Sequence, residues 1–391
     1  MPRTNRQINK DSVSNLRLHS LDALRGIAAL LVIITHYDTA TGPIVSYSGF
    51  DISHIPLSFF GNQLTILGYS NLLDLWNSLG WGYLAVQLFY VLSGFIFMYV
   101  YQKQITTCEK NFTDFVVARF SRLYPLVWVT TFIMIGIFLL AGKTNELSVY
   151  RVIVNFLMLG GFEGNNKFGI NGINGPMWTL TAEIWAYATF FLICRYWGKN
   201  RLVFIVPVLL GMFINQMNIQ SIGFFTPNYI RVFIGFFMGC LTYVLVSAVK
   251  QEKSSRRLGW WSLLIFMVII GIGMATGNKS IGDITIVYSL LIFPALIIAV
   301  MNVKWLRKFL SMRFFRWLGD LSFGIYLWHW PTFALFGILY RKGLHIPLNS
   351  KWFMLMIFGI VLAVAHLSFY YFERPMQKFI RKKYSEHKMS V

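Results

Sequence analysis

The chain has 391 residues, 56% of them hydrophobic and only 13% charged, and its 35 Lys and Arg against 15 Asp and Glu give a formal net charge of +20. Soluble domains carry about a quarter charged residues, so a soluble enzyme, a disordered tail protein and a coiled coil are all poor readings. A polytopic membrane protein remains, because lipid solvates this much apolar surface, and the 36 Phe, 19 Tyr and 13 Trp suit lipid and its interfaces.

Apolar runs of about 20 residues cross a bilayer as helices. Such runs lie near 21–40, 81–101, 123–142, 176–195, 202–217, 228–249, 259–276, 281–302, 320–340 and 352–372, which predicts an all-α bundle of about ten transmembrane helices. With the N-terminus in the cytoplasm, ten spans return the C-terminus there. The cytoplasmic stretches then hold 26 Lys and Arg and the outer ones seven, Lys143, Arg151, Lys167, Lys279, Arg341, Lys342 and Lys351. That asymmetry sets the orientation. It also explains the positive charge without nucleic acid. The chain divides into a cytoplasmic segment 1–20, a transmembrane domain 21–372 and a basic cytoplasmic tail 373–391.

The first run reads Leu21-Asp22-Ala23-Leu24-Arg25-Gly26-Ile27-Ala28-Ala29 and continues to Thr35-His36. It lacks a convincing small-residue cleavage site and carries Arg25, so it reads as a retained helix rather than a signal peptide. A charge at the centre of a span costs about 2.5–3.5 kcal/mol on insertion scales, so each one needs a reason. Eleven residues are just over three helical turns, which places Arg25 and His36 on one face, about 16 Å apart along the axis. Arg25 falls towards the cytoplasm and His36 in the outer half. A phosphate held at Arg25 could thus own an arm that reaches His36. The plain alternative is a snorkelling arginine and an unrelated bundle histidine.

After it come a long outer loop, 41–79, and a second, 143–175. The ten-residue run 152–161 ends at Gly160-Gly161 and reads as interfacial or re-entrant. Long ordered loops usually cover a site. Cys108, Cys194 and Cys240 show no CxxC spacing, so no disulfide framework or metal site is expected. No run repeats at a fixed period, which gives no sign of an inverted-repeat transporter. No soluble domain of any size is expected at either end.

The string Leu-Asp-x-Leu-Arg-Gly-Ile-Ala-Ala, with a His eleven positions after its Arg, resembles the signature of the membrane acyltransferase-3 family. Further pieces match in order. Phe89-Tyr90-Val91-Leu92-Ser93-Gly94-Phe95 resembles the family's Ser-Gly-Phe motif, and Arg119-Phe120-Ser121-Arg122-Leu123-Tyr124-Pro125 its Arg-x-x-Arg motif. Trp178 followed by Glu183 resembles its fourth-helix pattern. Gly319-Asp320-Leu321-Ser322-Phe323-Gly324-Ile325-Tyr326-Leu327-Trp328-His329 resembles its Ser-x-x-x-Tyr-Leu-x-His segment, and Glu373-Arg374-Pro375 its closing Glu-x-Pro. The resemblance spans roughly 18–380. One departure is Gln87, where the family frequently carries Asp.

The resemblance implies a multi-pass O-acyltransferase, with acyl-CoA as a cytoplasmic donor and often an acceptor on the other face. Such transfer needs a base for the acceptor hydroxyl and a site for polyanionic CoA. His36 is the natural base, since imidazole titrates near neutral pH. Arg25, Arg119 and Arg122 suit phosphate, which guanidinium binds through paired hydrogen bonds. Positive-inside charge alone is the alternative for Arg119 and Arg122. Glu183, at roughly the depth of His36, could tune the imidazole, hold a sugar hydroxyl, or be a structural partner. Ser93-Gly94 gives close helix approach or room for the pantetheine arm. Trp178 could stack on a sugar or anchor the interface. His329 could line the acyl channel or be a satisfied bundle histidine. Glu373 is expected to pair with an arginine and shape the CoA entrance rather than do chemistry.

The reading is an integral membrane O-acyltransferase of a bacterial inner membrane. It would pass an acetyl or similar short acyl group from acetyl-CoA to a cell-surface glycan or lipid-linked saccharide, with no metal. The alternative from another class is a multi-pass transporter of an anionic or lipid-linked solute.

Overall fold

The computed structural model describes residues 5–38, 81–159, 172–217, 227–249, 251–276, 285–348 and 351–390. The expected outer loop 41–79 and the middle of the loop 143–175 lie outside these. The described residues are helical and contain no strand. In chain order the helices are α1 (Asn5–Asp38), α2 (Trp81–Thr106), α3 (Phe112–Leu140), α4 (Val149–Phe156), α5 (Met177–Trp197), α6 (Ile205–Gln216), α7 (Pro227–Ala248), α8 (Glu252–Thr276), α9 (Phe293–Asn302), α10 (Lys304–Leu310), α11 (Arg313–Arg341), α12 (Lys351–Ser368) and α13 (Arg374–Ser390).

Each of the ten predicted runs falls on a helix. Among the described residues, seven helical segments are long and apolar enough to cross a membrane: His19–Tyr37, Leu84–Thr106, Phe112–Leu140, Met177–Trp197, Asn228–Ala248, Thr285–Asn302 and Trp352–Ser390. The short apolar run near 152–161 becomes α4, an eight-residue helix capped by Ser148, whose side chain accepts from the Arg151 amide. Helix α11 is not among the seven. It is buried along most of its length, with Ser322, Tyr326 and His329 enclosed by protein. A helix that faces protein can carry polar groups that lipid would reject.

Glycines set the closest helix approaches. Helix α1 packs along α11 through Gly26, where a Cβ would lie 2.6 Å from the Leu318 carbonyl carbon, and through Gly319, where it would strike the Asp22 carbonyl. Helices α2 and α7 meet the same way: a Cβ on Gly94 would overlap the Phe236 carbonyl, and one on Gly239 the Val91 carbonyl. Small residues let backbones approach where lipid offers no hydrophobic drive to helix pairing. Between α2, α5 and α7 lies an aromatic core in which Phe97 stacks on Tyr187 at 4.2 Å and meets Phe190 and Phe236 edge-on.

The basic tail continues α12 through a wide π-turn at Phe369–Glu373. It docks on the first turns of α3, which begins with a reciprocal cap between Asn111 and Asp114. Arg381 donates to Ser121 Oγ at 3.2 Å, Tyr384 to Asp114 at 2.9 Å, and Lys388 pairs with Asp114 at 2.9 Å. The tail expected as 373–391 is therefore a helix held against the segment that bears Arg119 and Arg122.

Candidate active site

Helices α1, α2, α3, α5 and α11 line an open cavity. Its wall carries Arg25 from α1, Arg119 and Arg122 from α3, Ser93 from α2, and Glu183 from α5. Three guanidinium groups against one carboxylate make this cavity a seat for a polyanion.

The three arginines are not equivalent. Arg119 bonds the Tyr101 hydroxyl and sits over the rings of Phe97 and Tyr101, at 5.0 and 4.8 Å. Arg25 lies 3.9 Å from Asp22, one turn earlier on its own helix. Arg122 makes no hydrogen bond or ion pair to a described residue. It also lines a second cavity, shared with Asp22, Asp320, Glu373 and Arg374. Arg122 and Phe323 belong to both walls, so they stand at the junction. Glu373 accepts from Ser368 at 3.0 Å, rather than pairing with a described arginine, and lines this second cavity.

The same wall carries several hydroxyls. Glu183 accepts from Ser93 at 3.3 Å and from Tyr187 one helical turn later. Tyr326 exchanges a 2.9 Å hydrogen bond with Thr179. On α11, Ser322, Tyr326 and His329 are spaced i, i+4 and i+7 on one face, a rise of about 10 Å. Tyr326 and His329 have ring centroids 6.0 Å apart, so the face runs from the cavity to a histidine pair.

His36 and His329 stack with centroids 5.1 Å apart and an interplanar angle of 25°. Trp330 meets the His36 ring edge-on at 5.5 Å. In both histidines Nδ1 faces the carbonyl four residues earlier, Val32 at 3.1 Å and Ile325 at 3.3 Å. A carbonyl only accepts, so Nδ1 carries the proton and the neutral ring keeps its lone pair on Nε2. His329 Nε2 is buried and has no hydrogen-bond partner. The pair therefore presents two imidazole acceptors, of which His36 is the less deeply buried.

The sequence-derived residues separate into groups. Arg25, Arg119, Arg122, Ser93 and Glu183 meet around one cavity, and His36 meets His329 outside its wall, farther along α11. Glu183 spends its hydrogen bonds on Ser93 and Tyr187 rather than on an imidazole. Gly94 does not line the cavity; it packs α2 on α7, where Cys240 also reaches its carbonyl at 3.5 Å. Trp178 sits half-buried in the first turn of α5, outside the cavity wall. Gln87 is buried and accepts from Ser289 at 3.2 Å. Tyr90, Thr179, Tyr187 and Tyr326 line the cavity without having been singled out for chemistry. For Tyr187 and Tyr326 there was a signal, the i, i+4 spacing to Glu183 and Ser322.

Residues 18–370 match a sequence family described as an acyltransferase domain. The chain is 27% identical over 343 residues to the peptidoglycan O-acetyltransferase OatA of Listeria monocytogenes serovar 1/2a, covering 76% of this chain and 51% of that protein. It is 24% identical over 349 residues to the O-acetyltransferase OatA of Staphylococcus aureus strain MRSA252, covering 79% and 56%. A putative acetyltransferase, ORF330 of Acidianus two-tailed virus, is 22% identical over 266 residues, 66% of this chain and 75% of that protein. The chain thus spans about half the length of the two OatA proteins. No solved structure matches it.

Proposed function

The chain belongs to the acyltransferase family matched over residues 18–370, and from that premise we propose that it moves an acetyl or similar short acyl group from acyl-CoA to a glycan hydroxyl. We place the basic end of the bundle in the cytoplasm of a bacterial inner membrane, with ten spans and both termini on that side. The carrying observation is the cavity itself: three arginines line it, and α11 leads from its wall to the His36–His329 pair. Acyl-CoA has the complementary shape, a polyanionic head on a long neutral arm that ends in the reactive thioester.

In this reading Arg122 and Arg25 take the phosphates and Arg119 shapes the wall beside them. His36 Nε2 accepts the proton of the acceptor hydroxyl as its oxygen attacks the thioester carbonyl. The tetrahedral adduct collapses, the carbon–sulfur bond breaks, and the thiolate leaves and takes the proton back from the imidazolium. The products are an ester and free CoA. Glu183, fixed by Ser93 and Tyr187, balances the charge of Arg25 along the passage. The acceptor is a surface glycan or lipid-linked saccharide; peptidoglycan is the substrate in the name of the Listeria relative. A transporter would need no imidazole base beside such a cavity, which favours the enzyme.

Mass spectrometry of surface glycans from cells with and without the gene tests the reading. Loss of one acyl group on deletion is the expected result and would also identify the product. An unchanged acylation pattern would remove the enzyme assignment.

A further inference from the structure

Most polar groups on the main cavity wall are already spoken for. Ser93 and Tyr187 hold Glu183, and Thr179 holds Tyr326. Two hydroxyls are not. Tyr90 on α2 is 1% exposed and Ser322 on α11 is 1% exposed, both line the cavity, and neither hydroxyl has a hydrogen-bond partner. A buried hydroxyl without a partner forfeits about 1–3 kcal/mol of hydrogen bonding, and two on one wall form a cradle for a ligand with matching polar groups. Neither belongs to the arginine cluster or to the histidine pair, so phosphate binding and proton transfer leave both unexplained.

We propose that Tyr90 and Ser322 hold the two amide groups of the pantetheine arm of the donor. This rests on the donor reading above and names the groups that would grip the arm. The arm is neutral and flexible, with two amides and one hydroxyl as its polar groups, which matches a wall that leaves two hydroxyls without partners. Each hydroxyl can donate to an amide carbonyl or accept from an amide N–H. The spacing agrees. Ser322 lies about 10 Å below His329 along α11, and an extended chain advances about 3.5 Å per α-peptide unit and somewhat more per pantetheine unit, which has an extra methylene. A far amide at Ser322 therefore leaves room for a second amide and the thioester before the histidines. Tyr90 faces the same cavity from α2, so the arm is gripped from two helices. The grip sets register: it fixes how far the thioester advances towards His36.

The test is equilibrium binding to the purified full chain in detergent. The probes are CoA and adenosine 3′,5′-bisphosphate, which carries phosphates but no arm. Tyr90→Phe and Ser322→Ala should each weaken CoA by roughly 5- to 10-fold, the worth of one net hydrogen bond. Binding of the bisphosphate should be the same in the wild type and both variants. CoA affinity unchanged in both variants would overturn the proposal, and so would equal losses for both probes, which would mark a structural defect. Wild type that binds CoA no better than the bisphosphate would show the arm to be elsewhere. Wild type that binds neither probe would instead overturn the donor reading itself.

Discussion

Replacing His36 with alanine is expected to lower the rate of acyl transfer by roughly 10²- to 10⁴-fold, the usual contribution of a positioned general base, while CoA binding stays at its wild-type value. The separation follows from distance. His36 is eleven residues from Arg25 on one continuous helix, a rise of about 16 Å, so the phosphate end does not feel its loss. His36 also packs on His329 and Trp330, so His36→Gln, which fills more of the same space, should be equally inactive. Initial rates with labelled acetyl-CoA, beside direct binding of CoA, check both statements. Turnover retained in either variant would take His36 out of its role.

Replacing Arg122 with alanine is expected to weaken acyl-CoA binding by roughly 10- to 100-fold, the worth of a charge-assisted hydrogen bond of about 1.5–3 kcal/mol. Arg122 is the informative choice because its guanidinium bonds no described residue and stands where the two cavities join. Arg119→Ala should also weaken binding, but it removes the Tyr101 bond and the contacts with Phe97, so part of its effect is packing. The signature is donor-dependent. A short thioester without phosphates, such as acetyl-pantetheine, should hardly distinguish Arg122→Ala from wild type. Equal losses with both donors would assign Arg122 a structural role.

The spacing of Arg25 and His36 was legible because helical periodicity acts within one segment. The runs that become the helices were legible for the same reason, since apolarity and length are local properties. Azimuth between helices is not local. Depth alone suggested that Glu183 could meet the imidazole, yet rotation of α5 aims it at Ser93 and Tyr187. His329 meets His36 because Gly26 and Gly319 let α1 lie close against α11, a contact between distant parts of the chain that no periodicity encodes. Gly94 could have given space to an arm or to a neighbouring helix, and only the Phe236 carbonyl against it decides for the helix. The unpartnered hydroxyls of Tyr90 and Ser322 were invisible for a related reason. A missing partner is a property of the whole surrounding wall.

The central claim is that the donor docks at the arginine end and the acyl group leaves at the histidine end, across the bundle. Sealed vesicles of known orientation test it most directly. Labelled acetyl-CoA is supplied only on the face that bears the basic clusters, and acceptor glycan only on the other. CoA cannot cross, because its phosphates stay charged. The account predicts labelled ester on the far side and free CoA left on the near side, abolished by His36→Ala. Label that appears only on acceptors supplied with the CoA, on the same side, would contradict it.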